Sequence, residues 1–90
     1  MKVSISPPAY AAIEEIGAYI ERDNPSRARS FVEELITACH ELSEFPRRYP
    51  PVPQFGLNAH KRTVGNYLII YDVWDDRLEV TAVRHAARSA

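Results

Sequence analysis

The sequence predicts an α+β fold in which a short N-terminal strand and a hairpin of two helices pack on an antiparallel sheet. Apolar residues recur at helical spacing in the first half, and short apolar runs separated by turn residues follow in the second half. The chain has 90 residues, of which 46% are hydrophobic and 26% charged. This composition is typical of one globular domain, expected over residues 1–90, with elements in the order β-α-α-β-β-β.

The first strand and the first helix follow directly on one another. Val3 and Ile5 alternate with polar residues, which is typical of a strand. Ser6 then precedes Pro7 and Pro8, and a serine cap followed by proline is favoured at the start of a helix. One face of this helix carries its apolar side chains at a spacing of three or four: Ala9, Ala12, Ile13, Ile16 and Ile20.

The second helix is predicted to begin at Asn24, which can cap it, with Pro25 at its first position. The same proline disfavours helical geometry at the residue before it, so the first helix should end there. The second apolar face is formed by Ala28, Phe31, Val32, Leu35, Ile36, Cys39 and Leu42, and Pro46 ends the helix. Two amphipathic helices with so short a connection fold back into a hairpin.

The remaining half is predicted to be β-structure after a proline-rich connector over residues 46–59. Strands are expected over residues 60–64, 67–74 and 78–85, with turns at Gly65 and Asn66 and at Asp75 and Asp76. The middle strand is apolar on both faces and should therefore be central. The core is expected to include Ile16, Phe31, Leu35, Ile69 and Tyr71.

Charge is unevenly distributed along the chain. Residues 1–45 carry 4 basic and 8 acidic side chains, whereas residues 46–90 carry 7 basic and 4 acidic ones. The basic excess includes Arg62 on one outer strand, and Arg84 and Arg88 beside His85 at the end of the last strand. We interpret these side chains as a binding surface for another macromolecule, and the small excess leaves direct nucleic-acid binding open.

A structural alternative for two of these arginines is ion pairing within the sheet. Arg62 and Arg84 could pair with Asp72 or Glu79 across neighbouring strands. Cationic side chains beside an imidazole would also suit RNA cleavage, because they offset phosphate charge and transfer protons. The sequence alone leaves these interpretations open.

No motif for a metal, a cofactor or a catalytic nucleophile is found in the sequence. His40, His60 and His85 lack the spacing of metal ligands, and the glycines form no phosphate-binding loop. The single cysteine, Cys39, lies on an apolar helix face and fits a reducing compartment. With neither an apolar leader nor a long apolar run, a cytoplasmic protein without a membrane segment is expected.

A series of short motifs extends over nearly the whole chain in a fixed order. They are Ile13 and Ile16 followed by Tyr19 and Ile20, Asn24 and Pro25 with Ala28 and Phe31, Leu42 with Pro46, Arg62, residues 67–71 and residues 83–88. Together they resemble the ParE/RelE superfamily of type II toxin–antitoxin toxins, and ParE more closely. The resemblance implies the β-α-α-β-β-β fold and a small toxin that forms a hetero-oligomer with a ParD-like antitoxin.

Members of this superfamily differ in their targets. RelE-like toxins cleave mRNA on the ribosome with arginine, lysine and tyrosine side chains near the sheet, whereas ParE-like toxins poison DNA gyrase. Lys61 and Arg62 partly match the RelE pattern, but Leu68 and Ala86 stand where it has arginines, and no tyrosine follows the last strand. Fewer cations would stabilise less of the transition-state charge.

The resemblance therefore favours a gyrase-inhibiting toxin that binds without catalysis, with Arg62, Arg84, His85 and Arg88 contacting target or antitoxin. One alternative is a ribosome-dependent endoribonuclease of the RelE type. The other is a non-toxic homologue that retains antitoxin binding. A small core should leave an apolar groove for this antitoxin along the helical hairpin and the adjoining sheet edge, with Arg62 and Arg84 contacting carboxylates of an acidic tail.

Overall fold

The computed structural model describes residues 1–88, except for the side chain of Arg88. The main elements are β1 (Lys2–Ile5), α1 (Pro7–Glu21), α2 (Pro25–Glu41), β2 (Ala59–Val64), β3 (Tyr67–Val73) and β4 (Arg77–His85). Two short 3-10 helices lie at Pro53–Phe55 and Ala86–Arg88. The predicted fold class and order of elements are confirmed. Within the described range, neither long helix is sufficiently long and apolar to cross a membrane.

The four strands form one mixed sheet in the order β1-β4-β3-β2. β2, β3 and β4 form the predicted antiparallel meander, and β1 adds to β4 in parallel, with Val3 opposite Leu78. The helical hairpin, the connector after it, β2 and β3 together form the long connection from β1 to β4 that a parallel pair requires. At the tight turn between β2 and β3, Gly65 has a φ of 58°, a conformation that glycine adopts without strain.

Side-chain caps fix the start of both helices, as the sequence predicted. Ser6 Oγ accepts a hydrogen bond from the Ala9 N–H at 3.3 Å. Asn24 Oδ1 accepts one from the Arg27 N–H at 3.1 Å. Each cap satisfies a backbone donor that has no partner within the helix, which typically stabilises the helix by about 1 kcal/mol.

The apolar faces of α1 and α2 meet one side of the sheet in a single core. Leu35, Ile69 and Tyr71 are fully buried there, and Phe31 is 6% exposed. Ile16 is only partly buried, contrary to the sequence expectation, because it lies beside an open groove at the margin of α1. The helical spacing identified the apolar face of α1 without showing which of its residues lies at the margin.

The connector after α2 is held against the sheet at both its beginning and its middle. The Tyr71 hydroxyl donates a hydrogen bond to the Pro46 carbonyl oxygen at 2.9 Å. The Lys61 N–H donates one to the Pro50 carbonyl oxygen at 3.0 Å. The connector therefore runs along the outer edge of β2 for a short distance instead of leaving the fold.

Replacement of Leu35 by alanine should lower the free energy of unfolding by about 2–5 kcal/mol, because it opens a cavity in a fully buried position. Leu57 is 102% exposed, so Leu57→Ala is the matched control and should change stability by less than about 0.5 kcal/mol. Urea unfolding followed by circular dichroism measures both. Equal effects of the two substitutions would contradict the observed packing of α2.

Stability should also depend on pH through Cys39. Burial raises the pKa of the Cys39 thiol to about 11 from 9.0, although the nearby Arg62 charge acts in the opposite direction. As pH rises, the unfolded chain therefore loses the thiol proton before the folded protein does. The stability that the protonated Cys39 contributes is complete below pH 9 and is lost as pH rises from 9 to about 11.

Urea unfolding at about pH 8 and about pH 10.5 should show a smaller pH-dependent loss of stability for Cys39→Ala than for the unaltered protein. The comparison cancels the titration of groups that the two proteins share. An identical loss in both would mean that this thiol titrates normally in the folded state.

Candidate functional site

Arg62 joins β2 to the last turn of α2. Its register partner is the buried Ile69, so its side chain lies on the helix-facing side of the sheet. Arg62 Nη1 donates a hydrogen bond to the Ala38 carbonyl oxygen at 2.8 Å and lies 3.1 Å from Glu41 Oε1. The guanidinium also lies 5.2 Å from the centroid of the Tyr49 ring. A cation here stabilises the carbonyl end of the helix, and its side chain is only 20% exposed.

Arg84 lies on the opposite side of the sheet, which we call the open face. It follows the buried Val83 on β4, and successive side chains of a strand point to opposite faces. Its guanidinium lies 5.2 Å from the centroid of the Phe55 ring, which belongs to the connector. Arg62 and Arg84 therefore do not form one basic surface.

The ion pairs considered within the sheet are not formed in the part of the chain that the structure describes. Arg62 pairs with Glu41 of α2, and no ion pair includes Arg84. Asp72 and Glu79 lie opposite each other near the far ends of β3 and β4. The register thus separates these carboxylates from both arginines.

His85 lies at the end of β4, next to the hairpin turn between β2 and β3. Its ring meets the Tyr67 ring edge-on, with centroids 5.1 Å apart. His85 Nδ1 accepts a hydrogen bond from the Ala87 N–H at 3.2 Å, which leaves the proton of the neutral ring on Nε2. The Ala86 N–H donates to the Asn66 carbonyl oxygen at 2.7 Å.

Pairing of the last three strands as a meander predicts that His85 and Arg88 lie close to Arg62, and the structure describes the side chains of His85 and Arg62. Arg88 ends the short 3-10 helix, and its side chain lies outside the described residues. His85 pairs with Tyr67 on β3. Arg62 lies on β2, two positions away from the residue that pairs with Tyr67. Because β3 separates β2 from β4, these side chains start roughly 10 Å or more apart.

An open groove lies between α1 and the end of the sheet that carries the hairpin turn. This α1–β4 groove is lined by Ala12, Glu15, Ile16, Tyr19, Asn66, Tyr67, Val83 and His85. Tyr19 is 62% exposed beside it, an unusual exposure for so large an aromatic side chain. A groove that combines an apolar floor with an exposed aromatic ring is suited to binding a segment of another protein.

The rim of this groove differs from the expectation. The acidic and basic side chains that line it are Glu15 and His85 rather than Arg62 and Arg84. Arg62 is held by α2, and Arg84 points to the open face. In the sequence, Tyr19 is part of a family motif, and its position next to Ile20, just off the apolar stripe of the first helix, is the signal of an exposed aromatic side chain.

Among the side chains that the structure describes, the groups considered for RNA cleavage do not converge. Lys61 alternates with Arg62 along β2, so the two cations point to opposite faces of the sheet. His85 lies on the helix-facing side, away from Arg84. Among residues 1–88, no group of three or more His, Cys, Asp or Glu side chains is arranged to hold a metal ion.

Comparisons with known proteins agree with this architecture. A family model described as the ParE toxin of type II toxin–antitoxin system, parDE, matches residues 3–90. The Sinorhizobium fredii protein named "Putative toxin Y4kP" is 33% identical over 78 residues, which cover 87% of this chain and 80% of that protein.

Two solved structures share the fold at low sequence identity. A chain of the chromosomal ParDE toxin–antitoxin system from P. aeruginosa is similar with a TM-score of 0.81 and 12% identity, covering 94% of this chain and 95% of its own. A chain of the RelBE2 toxin–antitoxin complex from Mycobacterium tuberculosis has a TM-score of 0.68 and 17% identity, and the match covers 93% of this chain and 95% of the other.

Arg62 should contribute to stability more than Arg84. Arg62→Met keeps an apolar stem but leaves the Ala38 carbonyl without this donor and Glu41 without its ion pair, so it should lower the free energy of unfolding by about 1–3 kcal/mol. Arg84→Met is the control and should change the free energy of unfolding by less than about 0.5 kcal/mol. Urea unfolding measures both; a larger effect at Arg84 would contradict the structural role assigned to Arg62.

Proposed function

The chain belongs to the ParE toxin family of type II toxin–antitoxin systems, and from this premise we propose that it inhibits DNA gyrase and is neutralised by a ParD-like antitoxin. The observation that carries the proposal is the family match, which extends over residues 3–90. The proposed target acts in the cytoplasm, so the protein would act there as well.

The separation of cationic groups supports inhibition by binding rather than by cleavage. A ribonuclease needs cations and a proton-transfer group around one phosphate. On the open face, Arg84 lies opposite Leu68, an apolar residue, while His85 is on the other side of the sheet. An inhibitor that traps its target needs only complementary shape and charge, to which the exposed Arg84 can contribute.

The α1–β4 groove supports an antitoxin partner. Its floor includes Ala12, Ile16 and Val83, and Tyr19 extends beside it. An amphipathic segment of a partner can insert apolar side chains into such a groove and bury the tyrosine ring. Because Glu15 lies on the rim, a cationic side chain of the antitoxin would be favoured at that point.

The end of β4 is the proposed contact with the target. Arg84 and Phe55 form a cation–aromatic pair on the open face, and Leu57 of the same connector is 102% exposed. Arginine and aromatic side chains contribute a large share of the energy in many protein interfaces. His85 follows Arg84 in the chain and lines the α1–β4 groove, so a partner in that groove would lie next to this surface; Arg88, three residues after His85, is a further proposed contact.

Purified protein should inhibit negative supercoiling by gyrase and leave ribosome-bound mRNA intact. A supercoiling assay and a translation-coupled mRNA cleavage assay, run with the same preparation, measure the two activities. Cleavage of mRNA without an effect on supercoiling would replace the proposal with the endoribonuclease alternative. Absence of growth arrest on induction, with both assays negative, would indicate a non-toxic homologue.

Two variants sharpen this test. Arg84→Glu should weaken gyrase inhibition by about tenfold or more, because it reverses the charge of an exposed contact. His85→Gln should change inhibition by less than about threefold, since a binding mechanism requires no proton transfer from it. A loss of roughly 100-fold or more with His85→Gln would instead indicate acid–base chemistry. Circular dichroism confirms that each variant is folded.

A further inference from the structure

The last part of the connector folds into a compact turn before β2, which we call the connector turn and which comprises residues 52–59. The Val52 N–H donates a hydrogen bond to the Ala59 carbonyl oxygen at 2.9 Å, which closes the base of the turn. The Val73 N–H donates one to the Asn58 carbonyl oxygen at 3.0 Å, which attaches the turn to the end of β3. The turn is therefore held at its base and at one side.

Hydrogen bonds within the connector turn also fix its backbone. The Gly56 N–H donates to the Pro53 carbonyl oxygen at 3.0 Å, and Gly56 has a φ of 135°, which strongly favours glycine. The Ala59 N–H donates to the Gly56 carbonyl oxygen at 3.3 Å, so Leu57 occupies the first central position of a hydrogen-bonded four-residue turn. Because this backbone is already ordered, Leu57 loses little conformational freedom when it contacts a partner.

The side chain of Leu57 belongs to an exposed apolar patch on the open face. Leu57 is 102% exposed and Phe55 is 39% exposed. A Cβ atom added to Gly56, between them, would lie 4.0 Å from Asp72 Oδ1, and Asp72 points to the open face because its neighbours on β3 belong to the core. The Phe55 ring lies 5.2 Å from the Arg84 guanidinium. Single exposed apolar side chains are common, but a patch of this kind beside an arginine has the composition of an interface centre.

The shape of this patch restricts the kind of partner that fits it. Leu57 projects from the surface, so the partner has to supply the cavity that surrounds it. An extended or helical antitoxin segment fills grooves rather than forming such a cavity, and the groove proposed for it lies on the helix-facing side. Insertion of Leu57 into the α1–β4 groove of a second copy would be a head-to-tail contact, which extends into open chains. A large folded target meets the requirement.

We propose that Leu57 is the anchor of the target contact and inserts into an apolar pocket on the surface of gyrase. Phe55 packs against the mouth of this pocket, and Arg84 pairs with a carboxylate of gyrase beside it. The inference rests on the proposed function, because it specifies how the same target is bound. It adds a residue outside the strands, Leu57, whose side chain supports no part of the core.

The test compares three variants in the gyrase supercoiling assay. Leu57→Ala should raise the concentration required for half-inhibition by about tenfold or more, because it removes the anchor. Leu57→Met keeps an apolar side chain of similar volume and should change that concentration by less than about threefold. Phe45 is 65% exposed on the helix-facing side, beside Arg62, so Phe45→Ala is the matched control with the same small effect expected. Circular dichroism confirms that each variant is folded.

Binding to the product of the open reading frame adjacent to the toxin gene is measured with the same variants. Leu57→Ala should change its Kd by less than about twofold, because the turn lies outside the α1–β4 groove. If Leu57→Ala inhibits gyrase as well as the unaltered protein does, this inference alone is overturned. A protein that leaves supercoiling unaffected without any substitution overturns the proposed target and this inference with it.

Photo-crosslinking provides a measurement that does not depend on affinity. A photoreactive phenylalanine analogue at position 57 should crosslink to gyrase, whereas the same analogue at position 45 should not. Inhibition of gyrase without a crosslink from position 57 would contradict the proposed anchor. A crosslink from position 57 to the antitoxin or to a second copy of the chain, in place of gyrase, would assign the patch to that partner and overturn the inference.

Discussion

The structure depends on burying one face of a four-stranded sheet beneath two helices. A chain of 90 residues can form only one core, and it buries roughly two thirds of the surface that its unfolded form exposes. The middle of the helix-facing side is occupied by this core, which includes fully buried Leu35, Ile69 and Tyr71. Surfaces for partners are consequently left to the margin of the helices, the open face and the edges of the sheet.

Arg62 illustrates how this constraint changes the meaning of a charged residue. In the sequence it is part of a basic strand and suggests contact with an anion. In the structure its guanidinium donates a hydrogen bond to the Ala38 carbonyl oxygen and pairs with Glu41. These two contacts hold α2 against β2. Arg84 instead lies exposed on the open face over Phe55, away from α2. The same residue type thus has different roles on the two faces.

The geometry of β4 connects the proposed target surface with the proposed antitoxin surface. Arg84 and His85 are adjacent in the chain, but one points to the open face and the other to the α1–β4 groove. An antitoxin in that groove could therefore block access to the end of β4 without contacting the arginine itself. Glu15 on the rim of the α1–β4 groove would favour a cation on the proposed partner, in contrast to the acidic tail expected from sequence.

The sequence by itself determined the type, order and approximate limits of the helices and strands. Local signals were sufficient for this: Ser6 and Asn24 as caps, and Gly65 in the tight turn. Only the tertiary structure decided that β1 pairs in parallel with β4 and that β2 lies at one edge of the sheet. Periodicity shows which residues share a face, but strand order and register depend on contacts between distant segments, and a shift of one residue exchanges the two faces of a strand.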